Sequence, residues 1–429
     1  MCSNISITDF LELGDENLRI YGKRHELIKG IDYLIYEGVI TYRPKVCPKC
    51  GCVNENNSII KNGSQKVKVQ INKINGLPCR LDIKKQRFFC KDCNSSFIAK
   101  TSLTKKGCFI SHLVKESVVE NLLKFRTIKD IAQENNIAWG TVTNILNDVS
   151  EKVKKNYLPE KLGIDELKIS GKAMSVDLVD LDTGKIYDIL PNRYKSQLIS
   201  YFESYPLWVR EKVKIVSTDM YMPYIDTAKT IFKNAKIVVD KFHIVQLIKN
   251  NLKSIRVELM KRKTTSQRDY KILKRYWKLL LKKEWDLNST KFNRFTYFKE
   301  FTCPYDIVRY MLSLDEDMQN AYNFYQSLLV CMNTNDVNHF KRLMSIKLKD
   351  IHVGLRKSFR TLRRMSKYII NALESGCSNG KVEAKNNVIK TYTKISFGVT
   401  STKNIRNRLL LREKIKIDSI TKIKYDAVA

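Results

Sequence analysis

Two Cys-x-x-Cys pairs constrain the fold of this chain more than any other feature of its sequence. They read Cys47-Pro-Lys-Cys50 and Cys90-Lys-Asp-Cys93, with thirty-nine residues between them. Four thiolates at this spacing can surround one Zn²⁺ in tetrahedral geometry. Seven of the eleven cysteines lie between Cys47 and Cys108, and an odd number in a chain that we expect not to be exported favours a metal site over disulfides. We therefore predict a zinc ribbon with Cys47, Cys50, Cys90 and Cys93 as the Zn²⁺ ligands.

The residues between the two pairs predict a β-hairpin. Its strands are expected at Lys66–Ile74 and Cys79–Phe89, with a turn at Asn75-Gly76, because Asn-Gly favours the turn that joins two antiparallel strands. Cys52 and Cys79 are alternative ligands, although they break the paired spacing. Buried free cysteines are the alternative to a metal site.

The charge of the chain points to a polyanionic partner. It has 78 Lys and Arg against 44 Asp and Glu, so the formal net charge of the 429 residues is +34. A hydrophobic fraction of 43% excludes a disordered basic tail. Nucleic acid is the usual partner for such a surface, and an anionic membrane is the other candidate. No apolar run approaches the roughly 18–20 residues of a membrane-spanning helix, and the first twenty residues are acidic, unlike a signal peptide. We therefore expect a soluble, intracellular protein.

The segment from Thr127 to Leu146 predicts two short helices joined by a turn near 135–138. Its inward-facing apolar residues follow the helical period: Ile128, Ile131, Ala132, Val142, Ile145 and Leu146. This pattern is typical of a helix-turn-helix, whose second helix enters the major groove of DNA. The side chains expected to reach base edges are Trp139, Thr141, Thr143 and Asn144. An ordinary helical hairpin is the alternative.

After Lys161 the sequence pattern becomes that of an α/β domain. Short β-rich runs are followed by alternating helices and strands, which predicts a mixed sheet of five strands. The predicted strands are Leu162–Ser170, Ala173–Leu181, Lys185–Leu190, Val213–Asp219 and Ala235–Asp240, and the predicted helices are Gln197–Glu203 and Tyr224–Phe232.

From about Ile244 to Ile370 the pattern is helical and polar. Residues 241–290 contain fourteen Lys and Arg against four acidic residues. Such charge runs are usually solvated helix faces, but they also suit contact with a nucleic-acid backbone. Trp277 and Trp285, eight positions apart, are predicted to share one helix face. Their rings could pack in the core or stack on nucleic-acid bases.

Acidic residues at predicted strand ends are the remaining candidates for chemistry, because the sequence has no phosphate-binding GxxxxGK[ST] or GxGxxG motif. Asp165 lies in the first strand of the predicted sheet and Asp219 ends the fourth. If these strands are neighbours, as in the ribonuclease-H-like order, the two carboxylates project from adjacent strand ends. With a third acid they could hold two hard cations about 3.5–4 Å apart, an arrangement suited to phosphodiester chemistry.

The third acid brings a specific resemblance. The segment from Ser378 to Asn387 reads SNGKVEAKNN, opens a helix after Gly376, and its SNG-x-x-E-x-x-N pattern resembles the last segment of a DDE transposase. Three upstream segments resemble the same family: Leu162-Gly-Ile-Asp-Glu166, Ser217-Thr-Asp-Met-Tyr-Met-Pro-Tyr224 and Val239-Asp-Lys-Phe-His243. With the zinc ribbon and the helix-turn-helix, the chain resembles the transposases of bacterial insertion sequences, specifically the "L-three" group, from about Cys47 to Arg412.

This resemblance implies the roles of several residues. Asp165, Asp219 and Glu383 are implied as the DDE triad, which binds Mg²⁺ or Mn²⁺. The implied supporting residues are Asp240, His243, Asn379 and Asn387. The 163 residues between Asp219 and Glu383 fit a core interrupted by an all-helical insertion.

Each implied acid has an ordinary alternative. Glu166, Asp177 or Asp180 could replace Asp165, although Glu166 points to the opposite strand face and the other two lie on the second strand. Asp219 could cap the following helix, and Glu383 could be an exposed helix residue. His243 could equally be a core histidine.

We expect a multidomain α/β protein: a ribonuclease-H-like five-stranded core interrupted by an all-α insertion and preceded by two DNA-binding modules. The expected divisions are a helical lead-in at 1–43, a zinc ribbon at 44–101, a helix-turn-helix at 102–155, a first core segment at 160–248, a basic helical insertion at 249–371 and a second core segment at 372–415.

The resemblance implies a DNA transposase in the bacterial cytoplasm, associated with the nucleoid. Such an enzyme binds the terminal inverted repeats of its element, hydrolyses a phosphodiester at each end and joins the freed 3′-hydroxyl to target DNA. Double-stranded DNA is the expected partner, and cutting two ends together implies a dimer or larger synaptic assembly. The alternatives are a non-catalytic DNA-binding protein, such as a repressor or domesticated transposase, and a ribonuclease-H-like nuclease or resolvase.

Overall fold

The structure, a computed structural model, describes Thr8 and residues 11–150, 153–169, 174–262, 267–376, 380–395 and 401–415. The chain divides into two units. The first contains Met1–Glu151 and Tyr392–Ala429, and the second contains Lys152–Thr391. The polypeptide therefore leaves the first unit once and returns to it for its last segment.

Strands and helices of the described residues are numbered in chain order. The strands are β1 Leu18–Ile28, β2 Ile31–Ile40, β3 Ile59–Ile74, β4 Leu77–Cys90, β5 Ser95–Ile98, β6 Lys161–Leu167, β7 Ser175–Asp180, β8 Ile186–Leu190, β9 Ile215–Thr218, β10 Lys236–Val239, β11 Asn293–Arg294 and β12 Phe301–Thr302. The helices are α1 His112–Leu123, α2 Ile128–Glu134, α3 Trp139–Val149, α4 Lys195–Glu203, α5 Leu207–Arg210, α6 Met222–Ile231, α7 Lys241–Arg262, α8 Gln267–Arg275, α9 Pro304–Ser313, α10 Glu316–Thr334, α11 Val337–Ser345, α12 Val353–Arg364, α13 Ser366–Ser375, α14 Gly380–Ile395 and α15 Thr402–Lys414.

Residues 18–40 form a β-hairpin, so the helical lead-in predicted over residues 1–43 is wrong for this stretch. Burial along β1 alternates with the period of two that marks a strand. Lys29 and Gly30 form the turn, both with positive φ, of 51° and 77°, as tight hairpin turns require. The charges in this segment pair across the hairpin, where Arg24 bonds Glu37, rather than along a helix face.

The hairpin predicted for the zinc ribbon is confirmed. Strands β3 and β4 are antiparallel, with Ile74 opposite Leu77 on either side of Asn75-Gly76. Strand β4 also pairs in parallel with β2 and antiparallel with β5, giving a five-stranded sheet of order β1-β2-β4-β3 with β5 on β4. The N-terminal hairpin thus belongs to the same sheet as the strands of the ribbon.

Helices α1, α2, α3 and α15 complete the first unit around one apolar cluster. Leu411 of α15 is buried in this cluster beside residues of the three earlier helices. The second core segment is predicted at 372–415, and the chain from Tyr392 onward belongs to the first unit. Burial of Ile405, Leu409 and Leu411 explains why this basic helix packs instead of staying in solvent.

The sheet of the second unit has five strands in the order β10-β9-β6-β7-β8. Strands β6, β7 and β8 form an antiparallel meander, and β9 and β10 run parallel to β6. The predicted mixed five-stranded sheet, with its first and fourth strands as neighbours, is confirmed. Parallel neighbouring strands end at the same edge of a sheet, so the C-terminal ends of β6, β9 and β10 lie side by side.

Helices α7 to α13 follow the sheet, and their buried residues continue its apolar cluster. The prediction that Trp277 and Trp285 share one helix face is wrong. Helix α8 ends at Arg275, and the chain then forms 3₁₀ turns at Leu279–Leu281 and Glu284–Asp286 that bury Leu280. In the part of the chain that is described, no helix has both the length and the apolar character that a membrane crossing needs.

Candidate functional site

Three aspartates lie side by side where the parallel strands end. In the sheet register Ile164 of β6 pairs with Thr218 of β9, and Thr218 pairs with Val239 of β10. The next residue on each strand is Asp165, Asp219 or Asp240. The backbone N–H of Asp240 donates to the carbonyl of Thr218 at 2.9 Å, which fixes the outer two strand ends against each other. The predicted neighbouring carboxylates Asp165 and Asp219 are thus at one edge of the sheet.

Burial raises the pKa of both predicted metal-binding aspartates. Desolvation is the largest influence on Asp165, whose pKa lies above its ordinary value, and on Asp219, whose pKa is raised to about 6. Neighbouring carboxylates raise both pKa values further, and His243 lowers them. Such raised pKa values are typical of carboxylates held together in functional sites.

Backbone amides hold the outer two aspartates in place. Asp219 accepts a hydrogen bond of 2.9 Å from the N–H of Tyr221, just before α6. Asp240 accepts one of 3.1 Å from Phe242 at the start of α7. His243 Nε2 lies 3.9 Å from Asp240 Oδ2. Asp240 and His243, predicted as supporting residues, therefore both lie beside the predicted metal-binding pair.

Helix α14 packs closely on the sheet because Gly163 has no side chain. A Cβ atom at Gly163 would lie 2.6 Å from Val382 Cγ2. This approach brings Asn386 of α14 to Asp165, where Nδ2 donates to Oδ2 at 2.8 Å. Asn386 is a site residue that sequence reasoning missed, although it stands in the SNG-x-x-E-x-x-N pattern and one helical turn after Glu383.

The structure does not bring Glu383 into contact with the two aspartates. Glu383 is exposed on α14, and among the described contacts it has no hydrogen bond or ion pair to Asp165 or Asp219. Asn387 is also exposed. Asn379, the remaining predicted supporting residue, lies outside the described residues.

The alternative acids have other surroundings. Glu166 points to the opposite face, as predicted, where it contacts Arg193 at 2.7 Å and Tyr224 at 3.2 Å. Asp180 accepts hydrogen bonds from the turn that follows β7. Asp177 lies directly opposite Asp165 in the β6–β7 ladder and is fully buried.

Five thiols gather at the predicted zinc site. Sγ atoms of Cys47, Cys50, Cys52 and Cys90 all lie within 4.8 Å of one another, and Cys93 Sγ lies 3.8 Å from Cys47 Sγ. The four predicted ligands are thus joined by Cys52, the alternative noted in the sequence, whereas Cys79 lies in the buried β-sheet and bonds the carbonyl of Leu77. A thiolate set of this kind fits Zn²⁺.

Backbone N–H groups favour ionised thiols at this cluster. The N–H of Cys50 lowers the pKa of Cys47 to about 6, and the N–H of Cys93 lowers the pKa of Cys90. The side-chain contact with Cys90 instead raises the pKa of Cys52. Zinc binds the thiolate form, so the lowered values suit Cys47 and Cys90 as ligands.

The predicted recognition residues begin α3. The turn before it runs from Asn135 to Ala138, and Asn136 there has a positive φ of 51°. Trp139 is 66% exposed at the first position of the helix. Asn144 is exposed, and Thr141 and Thr143 are half-buried. The polar side of α3 is thus available to a partner.

Comparison with known proteins gives two family matches. Residues 162–409 match the ISL3-type DDE family described as "Transposase", and residues 43–93 match the family described as "zinc-finger of transposase IS204/IS1001/IS1096/IS1165". The second match contains all five clustered thiols and supports Zn²⁺ as the ion that these thiols bind.

One curated relative is an "ATP-dependent protease" of Lactococcus lactis subsp. lactis. It is 29% identical over 107 residues, which are 25% of this chain and 34% of the relative. The chain therefore spans about a third of the length of this relative. The transposase match, in contrast, runs from β6 to α15 across more than half of the chain and includes all three predicted acids. The chain thus belongs to the ISL3-type DDE transposases.

Proposed function

We propose that this protein cuts the ends of its insertion sequence and joins them to target DNA. The observation that carries the proposal is the row of Asp165, Asp219 and Asp240 at the edge of a mixed sheet in which β6 and β9 are neighbours, as we would expect of a ribonuclease-H-like core. Asp165, Asp219 and Glu383 are proposed to hold Mg²⁺ or Mn²⁺, since carboxylate oxygens are the donors these ions prefer. When bound, the ions supply an activated water or 3′-hydroxyl and stabilise the leaving oxygen.

The surroundings of the aspartates support this role. The Tyr221 N–H orients Asp219, and Asn386 orients Asp165. Asp219 must be ionised to bind a cation, and with a pKa raised to about 6 it is ionised at neutral pH. Glu383 lies one helical turn before Asn386, on the helix that Asn386 joins to Asp165.

Two parts of the first unit are proposed to bind specific DNA sequences. The zinc ribbon and the α2–α3 pair bind the terminal inverted repeats, with α3 in the major groove and Trp139, Thr141, Thr143 and Asn144 at base edges. The basic helical insertion at 249–371 binds the DNA backbone, in keeping with its excess of Lys and Arg. Two ends must be cut together, so we propose a dimer or larger assembly on DNA.

A cleavage assay tests the proposed reaction. The purified protein is incubated with Mg²⁺ and a supercoiled plasmid carrying the DNA ends that flank its gene, and 3′ ends are mapped. Wild type and Asp226→Asn, a change at a partly exposed residue that pairs with Lys195, should cut at the element ends. Asp165→Asn, Asp219→Asn and Glu383→Gln should each lose at least about a hundredfold in rate, as when charge stabilisation of the transition state is removed.

Equal cleavage by wild type and Asp219→Asn would show that these acids do not form the catalytic site. Sequence-specific binding without cleavage by wild type would favour the second candidate, a non-catalytic DNA-binding protein. The exposure of Glu383 away from the aspartates is the observation that favours that candidate.

A further inference from the structure

Asp177 is a buried carboxylate that lacks a partner among the described residues. It lies in β7 with 0% of its surface exposed, directly opposite Asp165 in the antiparallel ladder. Opposed residues in such a ladder project from the same face of the sheet. Neither carboxylate oxygen of Asp177 has a hydrogen-bond partner in the described structure. The side chains of Asp177 and Asp165 therefore lie next to each other on the same face of the sheet.

A carboxylate in this position is costly to the fold. A buried charge without a partner is strongly disfavoured in a folded protein. Desolvation raises the pKa of Asp177 well above its ordinary value, the neighbouring charge of Asp165 raises it further, and Lys390 of α14 lowers it. A buried polar group without a partner needs an explanation, and an ion is one of the few available.

Asn386 gives a second, independent observation at the same place. It lies on α14, is 5% exposed, and donates from Nδ2 to Asp165 Oδ2 at 2.8 Å. Its carboxamide oxygen Oδ1 is buried and, among the described atoms, without a hydrogen-bond donor. Two different elements thus bring unsatisfied oxygen acceptors next to Asp165.

We propose that Asp177 and the carboxamide oxygen of Asn386 are additional ligands of the divalent cation held by Asp165. The proposal rests on the proposed function, because it assigns further ligands to the same metal site. Mg²⁺ and Mn²⁺ take about six oxygen ligands, and carboxylate and amide oxygens both suit them. A cation at Asp165 satisfies the acceptors of Asp177 and Asn386 at once.

Asp188 provides a matched control in the neighbouring strand β8. It is also buried, at 1% exposed. Unlike Asp177, its two oxygens accept hydrogen bonds, one from the Ile189 N–H at 2.7 Å and one from the Tyr201 hydroxyl at 2.7 Å. A change from Asp to Asn at residue 188 therefore alters a buried carboxylate of the same sheet without touching the proposed cation.

Manganese binding tests the proposal without reference to activity. The zinc-loaded, full-length protein is titrated with Mn²⁺, free Mn²⁺ is measured by electron paramagnetic resonance, and the melting temperature is recorded with and without Mn²⁺. Asp177→Asn and Asn386→Ala should each weaken Mn²⁺ binding at least tenfold and reduce the rise in melting temperature on adding Mn²⁺. Asp188→Asn should bind Mn²⁺ as wild type does. Asn386→Ala keeps the test decisive if Asp177→Asn does not fold.

Wild-type affinity for Mn²⁺ in both Asp177→Asn and Asn386→Ala would overturn the proposal. If Asp165→Asn and Asp219→Asn nevertheless lose Mn²⁺, the proposed function stands and only the two additional ligands are wrong. If Asp165→Asn and Asp219→Asn also bind Mn²⁺ like wild type, the metal site itself is wrong and both proposals fail.

Discussion

Asn386 donates a hydrogen bond of 2.8 Å to Asp165, although 221 positions separate the two residues in the chain. The bond ties α14, which carries Glu383, to the strand that carries the first predicted metal-binding aspartate. Gly163, two residues before Asp165, lets the helix approach the sheet. The contact between α14 and β6 is therefore the link between the early and late segments of the transposase core.

A side chain at Gly163 should break this link. The Cβ atom of Gly163→Ala would lie 2.6 Å from Val382 Cγ2 and 2.9 Å from Leu181 Cδ2, so helix or strand must shift. We expect a loss of about 1–3 kcal/mol in unfolding free energy, as for other overpacked cores, and a large loss of cleavage. Gly140→Ala is the control, since a Cβ atom there meets nothing within 4 Å. Equal denaturant midpoints for both variants would contradict the close packing.

The zinc ligands can be separated by single substitutions. The paired spacing predicts that Cys93→Ser loses Zn²⁺, whereas Cys52→Ser keeps one Zn²⁺ per chain, although Cys52 Sγ lies 3.3 Å from Cys90 Sγ. Zinc content is measured by elemental analysis after reduction and desalting. Cys47→Ser is the positive control for zinc loss, and Cys331→Ser, a buried thiol in the second unit, is the negative control. Zinc lost from Cys52→Ser and kept by Cys93→Ser would replace Cys93 by Cys52 in the ligand set.

Trp139 should contribute to DNA binding and little to folding. Because its ring is 66% exposed at the start of α3, Trp139→Ala should leave the melting temperature unchanged. We expect specific affinity for the element ends to fall about tenfold or more, the usual cost of losing one base contact of about 1–3 kcal/mol. Gln133→Ala, at an exposed position of α2, is the control in a fluorescence anisotropy titration. Unchanged specific affinity in Trp139→Ala would remove this residue from the interface.

Arg408 should hold the C-terminal helix on the helices of the first unit. It is 2% exposed and donates from Nε to the Leu122 carbonyl at 2.7 Å and from Nη2 to the Lys124 carbonyl at 2.6 Å. Arg408→Met should lower the unfolding free energy by about 3 kcal/mol, since hydrogen bonds of charged groups contribute about 1.5–3 kcal/mol each. Lys403→Met, at an exposed position of the same helix, should be neutral. Equal stability of the two variants in urea would argue against this role.

Turn preferences and short apolar runs in the sequence were enough to predict those parts of the fold that neighbouring residues determine. The Asn75-Gly76 turn and the strands around it follow from turn preference and alternating burial. The five strands from β6 to β10 follow from short apolar runs, and Asp165 and Asp219 follow from their positions at the ends of those strands.

Three of the errors share one physical cause, which is contact between distant segments. Strand β1 is only half-buried and carries many charges, so its sequence does not show a clear alternation of apolar and polar residues. Its alternating burial depends on the sheet that forms when β2 pairs with β4 of the ribbon. Helix α15 is basic, and only its neighbours in the first unit explain its position there. The contact of Asn386 with Asp165 has no local signal in the sequence, because the two residues are 221 positions apart.

Replacing the Asp219 carboxylate by a thiol tests whether Asp219 binds the catalytic metal ion. The most direct measurement compares cleavage of the element ends by wild type and Asp219→Cys in Mg²⁺ and in Mn²⁺, with Asp226→Cys as the control. A thiolate is a poor ligand for Mg²⁺ and a better one for Mn²⁺, the softer of the two ions. We predict that Asp219→Cys is inactive in Mg²⁺ and partly active in Mn²⁺, while the control cuts in both. Cleavage by Asp219→Cys at the wild-type rate in Mg²⁺ would show that Asp219 is not a ligand of the catalytic metal ion.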